Sequence, residues 1–174
     1  MIEKLQPGQW YGRIERAQTI GGVLLSVVHH DRPKQIAVHE HALSYFLMPF
    51  AGGYRETHDG KTIQYDPFSI AFHPAGFVHS DEVFGPEKFF AIELQPEWQS
   101  RVGHLFDISA WHFELQHGEA VWLAVALLQR FLNDELEALE VDAVVSEMLG
   151  IALRLVDRDR PQRAWVTDVK RVLR

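Results

Sequence analysis

The sequence predicts a mainly β domain, a small barrel or sandwich, followed by C-terminal α-helices beyond Pro96. Three observations predict it. Before Pro96, short apolar runs alternate with Gly and Pro turns, the pattern of a closed or stacked sheet. After Pro96, apolar residues recur every three or four positions, the period of a helix. Two histidine patterns about forty residues apart, His39-Glu40-His41 and Pro74-Ala75-Gly76-Phe77-Val78-His79, sit in strand-like sequence. On a strand, residues i and i+2 share a face, so His39 and His41 aim together.

The elements follow in order. Val23-Leu24-Leu25-Ser26-Val27-Val28 reads as a short apolar strand, and Ile36 to His41 as a second. Tyr54 to His58 and Lys61 to Tyr65 flank Asp59-Gly60, a strong signal for a two-residue hairpin. Phe68 to His73 and Lys88 to Leu94 complete the set, with Phe84-Gly85-Pro86 as a turn. Val121, Ala124, Val125, Leu128, Phe131 and Leu132 then fall at helical spacing. So do Val141, Val144, Val145, Met148, Ala152, Leu155 and Val156, with the break between the two helices around Asn133-Asp134-Glu135-Leu136. Asp142 is expected near the start of the second helix, where a carboxylate favours the dipole. Pro161 separates a third helix that begins near Ala164.

Composition bounds the function. The length of 174 residues fits one domain with a terminal appendage. The absence of cysteine excludes disulfides, thiolate metal sites and cysteine nucleophiles, and is compatible with the cytoplasm. No apolar run approaches the roughly 20 residues of a membrane helix, and Met1-Ile2-Glu3-Lys4-Leu5-Gln6-Pro7 is unlike a signal peptide. A net charge of −7 argues against non-specific nucleic-acid binding. The basic residues Arg158, Arg160, Arg163, Lys170, Arg171 and Arg174 crowd the C-terminus. They suit either a junction leading towards DNA or a helix C-terminus.

Histidine, carboxylate and aromatic positions supply the candidate site. His39, His41 and His79 could hold a divalent metal, contact a ligand through their donor and acceptor nitrogens, or be structural. Asp81 shares a strand face with His79 and could add a carboxylate. His73 reads as a rim or surface residue, and the doublet His29-His30 as solvent-facing. Tyr45, Phe46, Tyr54, Phe72 and Phe90 lie on candidate strands, as pocket lining or as plain core. Arg55 and Glu56 read as an exposed pair of little energetic weight. The ligand-contact set is His39, His41, Tyr45, Tyr54, Phe72 and His79, and no catalytic residue is assigned.

The histidine patterns resemble the two motifs of the cupin superfamily. The first is His-x-His, then a Glu a few residues on, then Gly; the second is Gly, five residues, then Pro-x-Gly-x-x-His. His39, His41, Pro74, Gly76 and His79 fit. Where the Glu would follow, the chain reads Ala42-Leu43-Ser44-Tyr45-Phe46, and Phe68 stands where the second motif begins with Gly. The resemblance implies a cupin-like β-barrel, the double-stranded β-helix. It also implies a possible divalent metal, Zn, Fe, Mn or Ni, on His39, His41 and His79.

A closer resemblance runs from Gly53-Tyr54-Arg55-Glu56-Thr57 through Gly60-Lys61 and Phe72-His73-Pro74-Ala75-Gly76-Phe77-Val78-His79-Ser80-Asp81 to Phe84-Gly85-Pro86. These residues are similar to the sensor domain of AraC-type transcriptional regulators. Ala164-Trp165-Val166-Thr167-Asp168-Val169-Lys170-Arg171-Val172-Leu173 looks like the first helix towards their DNA-binding domain. The resemblance implies a barrel that senses a small-molecule effector over residues 1–96, a helical dimerisation region over 97–160, and the start of a linker over 161–174. The chain is thus expected to be a regulator's sensor half, touching DNA only through a helix-turn-helix domain beyond it. A homodimer is expected through the helices from about Glu119 to Asp157, by way of Val121, Val125, Leu128, Leu132, Val145, Met148, Ala152 and Leu155. The competing expectations are a free-standing metal-dependent cupin enzyme, a dioxygenase or isomerase, and an interaction module with a filled barrel. The missing Glu, and the lack of an evident acid–base pair beside His79, count against the enzyme.

Overall fold

The computed structural model describes residues 2–102, 112–115 and 118–159, with side chains to 101 in the first stretch and 154 in the last. The chain forms β1 (Glu3–Leu5), β2 (Arg13–Ile20), β3 (Val23–His30), β4 (Lys34–His41), β5 (Ser44–Ala51), β6 (Tyr54–His58) and β7 (Lys61–Tyr65). It continues with β8 (Ile70–His73), β9 (His79–Val83), β10 (Glu87–Leu94), α1 (Pro96–Val102), β11 (Phe113–Leu115), α2 (Glu119–Leu132) and α3 (Ala138–Asp159). The expected third helix near Ala164, with most of the basic tail, lies outside the described residues.

The strands make two sheets. One has the order β1-β4-β9-β6-β7, the other β11-β8-β5-β10-β3-β2. They face each other, and among the described residues no ladder joins their edges, so the expected closed barrel is corrected to an open two-sheet stack. Proline and glycine mark the corners where the chain passes from one sheet to the other. The β3–β4 corner holds Pro33, the β7–β8 corner Pro67, and the β9–β10 corner Pro86. Proline has no N–H to give a ladder. The β5–β6 corner holds Gly52, whose φ of +73° suits glycine, and an added Cβ there would lie 2.4 Å from the Pro86 carbonyl oxygen.

Packing has three layers. The six-stranded sheet lies in the middle and is covered on both faces. Alternate residues of β5 show it: Tyr45 and Leu47 pack with Ile36, Tyr54 and Val83 of the other sheet. Phe46 and Met48 pack with Trp98, Leu127, Phe131, Val145 and Met148 of the helices. A strand buried on both faces carries an unbroken apolar run, as Tyr45 to Phe50 does. By contrast β2, at a sheet edge, is mostly exposed and polar, and its sequence carries no apolar pattern to mark it.

The Asp59-Gly60 hairpin forms as expected, with φ of 46° and 74° at its two turn residues. The strand expected from Phe68 starts at Ile70, because Phe68 has a φ of 65° and belongs to the turn before it. The helix break falls at Asn133–Glu137, and α3 starts at Ala138, one turn before Asp142. Among the positions expected at a dimer interface, Val121, Leu128, Val145, Met148 and Ala152 are buried in the chain's own core. Val125 packs against that core partly buried, and Leu132 is 48% exposed. The Leu155 side chain lies outside the described residues. Among the described residues, no helix is long and apolar enough to cross a membrane.

Candidate functional site

Strand register gathers the site between the two sheets. His39 on β4 pairs directly with His79 on β9, beside a bulge in the β4–β9 ladder. Glu56 on β6 faces Asp81 on β9, and Tyr45 on β5 faces His73 on β8. The period of two then brings His41, Tyr54 and Leu47 to the same interior. The Pro74–Val78 turn is tied down by two hydrogen bonds: Gly76 N–H donates to the His41 carbonyl (2.9 Å), and Ala75 N–H to Ser44 Oγ (3.0 Å). That anchoring fixes where His79 enters.

The three histidines converge. One ring nitrogen from each of His39, His41 and His79 lies within 4.8 Å of the other two, and all three side chains are buried. His39 and His79 rings are 4.3 Å apart. His39 Nδ1 lies 2.9 Å from the Ala37 carbonyl, and His79 Nδ1 3.2 Å from the Phe77 carbonyl. A carbonyl only accepts, so each Nδ1 carries the proton and each Nε2 keeps its lone pair. A metal-ligating histidine typically donates its second N–H in this way. The Tyr45 hydroxyl approaches His79 Nε2 at 3.4 Å, and Asp81 Oδ2 lies 3.8 Å from Nε2 of both His39 and His79. His41 Nδ1 is buried with no hydrogen-bond partner among the described residues.

Protonation suits ligation. Burial first, then neighbouring imidazoles, bring His41 down to about 2 and His79 to about 3, and burial lowers His39 too. All three are neutral at neutral pH, the form that binds a metal. Burial and the Glu56 and Glu87 carboxylates push Asp81 well above the usual carboxylate range. Burial raises Glu56 as well, but the imidazoles around it, His73 foremost, outweigh this and bring it to about 2.

A cavity of about 40 Å³ opens at the histidines. A single water needs about 10–15 Å³ on this measure, so there is room for an ion with a few small ligands. Trp10, Tyr11, Tyr45, Tyr54, Glu56, Asp81 and Phe89 line it with the three histidines. Trp10 packs on His41 at 4.7 Å and Tyr11 on His39 at 5.0 Å.

Several expectations are corrected. Phe72 is not at the site; it faces the helices, stacked on Phe113 at 5.4 Å. Phe46 and Phe90 share that outer layer, whereas Tyr45 and Tyr54 do line the cavity. His73 is not on the rim but only 1% exposed, with Nε2 2.7 Å from Glu56 Oε2. It does alternate away from Phe72, but both faces of the middle sheet are interior. Glu56 is buried rather than paired with Arg55, which meets Glu82 at 3.3 Å. His30 is buried, 3.2 Å from Glu87; His29 is less exposed than expected and lies beside Glu15 and Asp31. Acid–base groups do stand beside His79, in Asp81 and Glu56. Trp10 and Tyr11 precede the strands read from the sequence, and no periodicity marks them. The signal that could have found Glu56 is its parity with Tyr54, two residues away on the same strand.

Neither a protein-family model nor a curated protein matches the chain. Among solved structures, it is similar to a cupin-2 domain containing protein from Shewanella frigidimarina, at 17% identity and a TM-score of 0.42, over 50% of this chain and 82% of that one. It is similar to a cupin superfamily protein from Desulfitobacterium hafniense at 16% identity and a TM-score of 0.41, over 55% of this chain and 98% of that one. It is also similar to the DMSP lyase DddQ from Ruegeria pomeroyi at 18% identity and a TM-score of 0.40, over 44% of this chain and 40% of that one. Likeness at this level carries no argument about activity, and the site's own chemistry has to supply one.

Proposed function

We propose that this chain is a cupin-like ligand-sensing domain of the AraC-type regulators, with a divalent metal held by His39, His41 and His79 as the seat of its effector. The observation that carries the metal is the convergence of three buried, neutral imidazoles, two of them oriented by backbone carbonyls. The regulator reading rests on the sequence resemblance from Gly53 to Pro86 and on the order of sheets before helices. When bound, a first-row ion there offers an open position to a small oxygen or nitrogen ligand.

The chain's own groups define that ligand. The hydroxyls of Tyr45 and Tyr54 present donors to an incoming oxygen, with the Asp81 carboxyl beside them. The cavity volume favours a compact molecule, such as a short carboxylate, over a sugar. A response would need the effector to bind one arrangement of sheets and helices better than another. A second copy would meet the exposed Trp122 and Leu139 of α2 and α3. DNA contact belongs to a helix-turn-helix domain beyond these residues.

The enzyme reading gains one specific observation, the carboxyl groups of Asp81 and Glu56 beside His79. Cobalt substitution tests the sensor's seat. The Co2+-loaded chain should absorb in the visible, and acetate or azide should shift that band saturably and without turnover. The difference spectrum against His39→Ala/His41→Ala should carry the shift. A band indifferent to small anions would refute a ligand seat at the metal, and consumption of an added small acid would favour the enzyme.

A further inference from the structure

We propose that Glu56, His73 and His112 form a second divalent-cation site, distinct from the His39–His41–His79 group. The three come from both sheets. Glu56 lies on β6 and His73 on β8. His112 immediately precedes Phe113, which pairs with Phe72, so it falls opposite His73. One ligand atom from each lies within 4.8 Å of the other two.

Glu56 and His73 stand at ion-pair distance, and His112 closes the group from the other side. Glu56 Oε2 is 2.7 Å from His73 Nε2, and Glu56 Oε1 is 3.7 Å from His112 Nε2. Two ligands on roughly 2.1 Å bonds at a tetrahedral angle stand about 3.4 Å apart, so His112 is already near that spacing and an entering ion would part Glu56 from His73. Beyond that ion pair, both Glu56 oxygens, both His73 nitrogens and His112 Nε2 are buried without an aligned hydrogen-bond partner among the described residues. Glu56 and His73 are each 1% exposed. A plain buried ion pair would use two of these groups and leave the third aimed at nothing. Buried polar atoms left without partners are costly, so a cluster of them calls for a shared partner.

The surroundings hold the ligands in place. The Phe77 ring stacks on His112 at 4.5 Å and lies 5.0 Å from His73. The His58 ring sits 4.6 Å from His112, with both nitrogens buried and without hydrogen-bond partners among the described residues, and is a candidate for a fourth ligand. Two imidazoles and one carboxylate with room for solvent suit zinc or a ferrous-type ion, not calcium or magnesium, which want oxygen. His73 and His79 rings are 5.2 Å apart, so the two sites share a wall.

Zinc stoichiometry of the untagged chain tests this, read by elemental analysis after gel filtration and by calorimetric titration with zinc chloride. The wild type should hold two equivalents. His112→Ala, a change at a partly exposed position, should remove one and leave the other, with unchanged far-ultraviolet circular dichroism. His39→Ala/His41→Ala should remove the other one. If His112→Ala keeps the full wild-type stoichiometry, the second site is overturned, whatever happens at the first. Loss in His112→Ala with none in His39→Ala/His41→Ala would uphold this site and remove the three-histidine one.

Discussion

Each histidine at the centre of the site is held neutral by burial, and the acid side of the stability curve should show it. Burial, the largest cause, lowers His41 to about 2, His79 to about 3 and His112 to about 4, from an ordinary value of 6.5, and lowers His39 as well. Below about 6.5 the unfolded chain therefore binds protons that the folded chain refuses, and stability falls as the pH falls. Asp81, raised well above its ordinary range, and Glu93, raised to about 7, run the other way. Four imidazoles against two carboxyls leave the balance with the imidazoles. The metal-free protein should lose several degrees of melting temperature between about pH 7 and about pH 5, measured by circular dichroism. The slope should flatten in His41→Gln, and a flat wild-type profile would contradict neutral buried imidazoles. At this scale much of the site was legible. His39, His41 and His79 follow from the i, i+2 rule and the Pro-x-Gly turn. Phe72, His73 and Glu56 did not, because alternation gives the parity of a side chain and not which face is covered. Here both faces of the middle sheet are covered, so no face is a surface.

Elements were legible where one face differs from the other or a turn is chemically marked. The Asp59-Gly60 hairpin and the α2–α3 break stand close to where the pattern puts them. The edge strand β2 and the three-residue β1 and β11 have no such contrast and were not read. Barrel closure was not legible either, since it depends on edges that meet far apart in sequence. The helices carry an apolar stripe that reads equally as core or as interface. The structure spends most of it inside: Met148 is fully buried among the helix-facing side chains of the middle sheet. Met148→Ala should therefore destabilise the chain by about 2–5 kcal/mol, measured by urea unfolding. An unchanged unfolding midpoint would return Met148 to the surface.

For the whole molecule, the order of layers is five-stranded sheet, six-stranded sheet, helices, and the polar site lies between the two sheets rather than against the helices. A signal from the site to the helices has to cross the middle sheet. The shortest path is by neighbours in one strand, such as Tyr45 to Phe46 or Phe72 to His73, whose side chains lie in the two different interiors. On the proposed sensor reading, that arrangement would give a small bound ligand leverage on the helix layer, because a tightly packed sheet transmits a shift instead of absorbing it. The central claim beneath this account is that the three histidines hold a metal. The most direct test is elemental analysis of the untagged protein beside His39→Ala/His41→Ala, after incubation of both with Zn, Mn, Fe and Ni. The wild type should hold bound metal, and the double variant one equivalent fewer. No metal in the wild type, or equal metal in both, would contradict that claim.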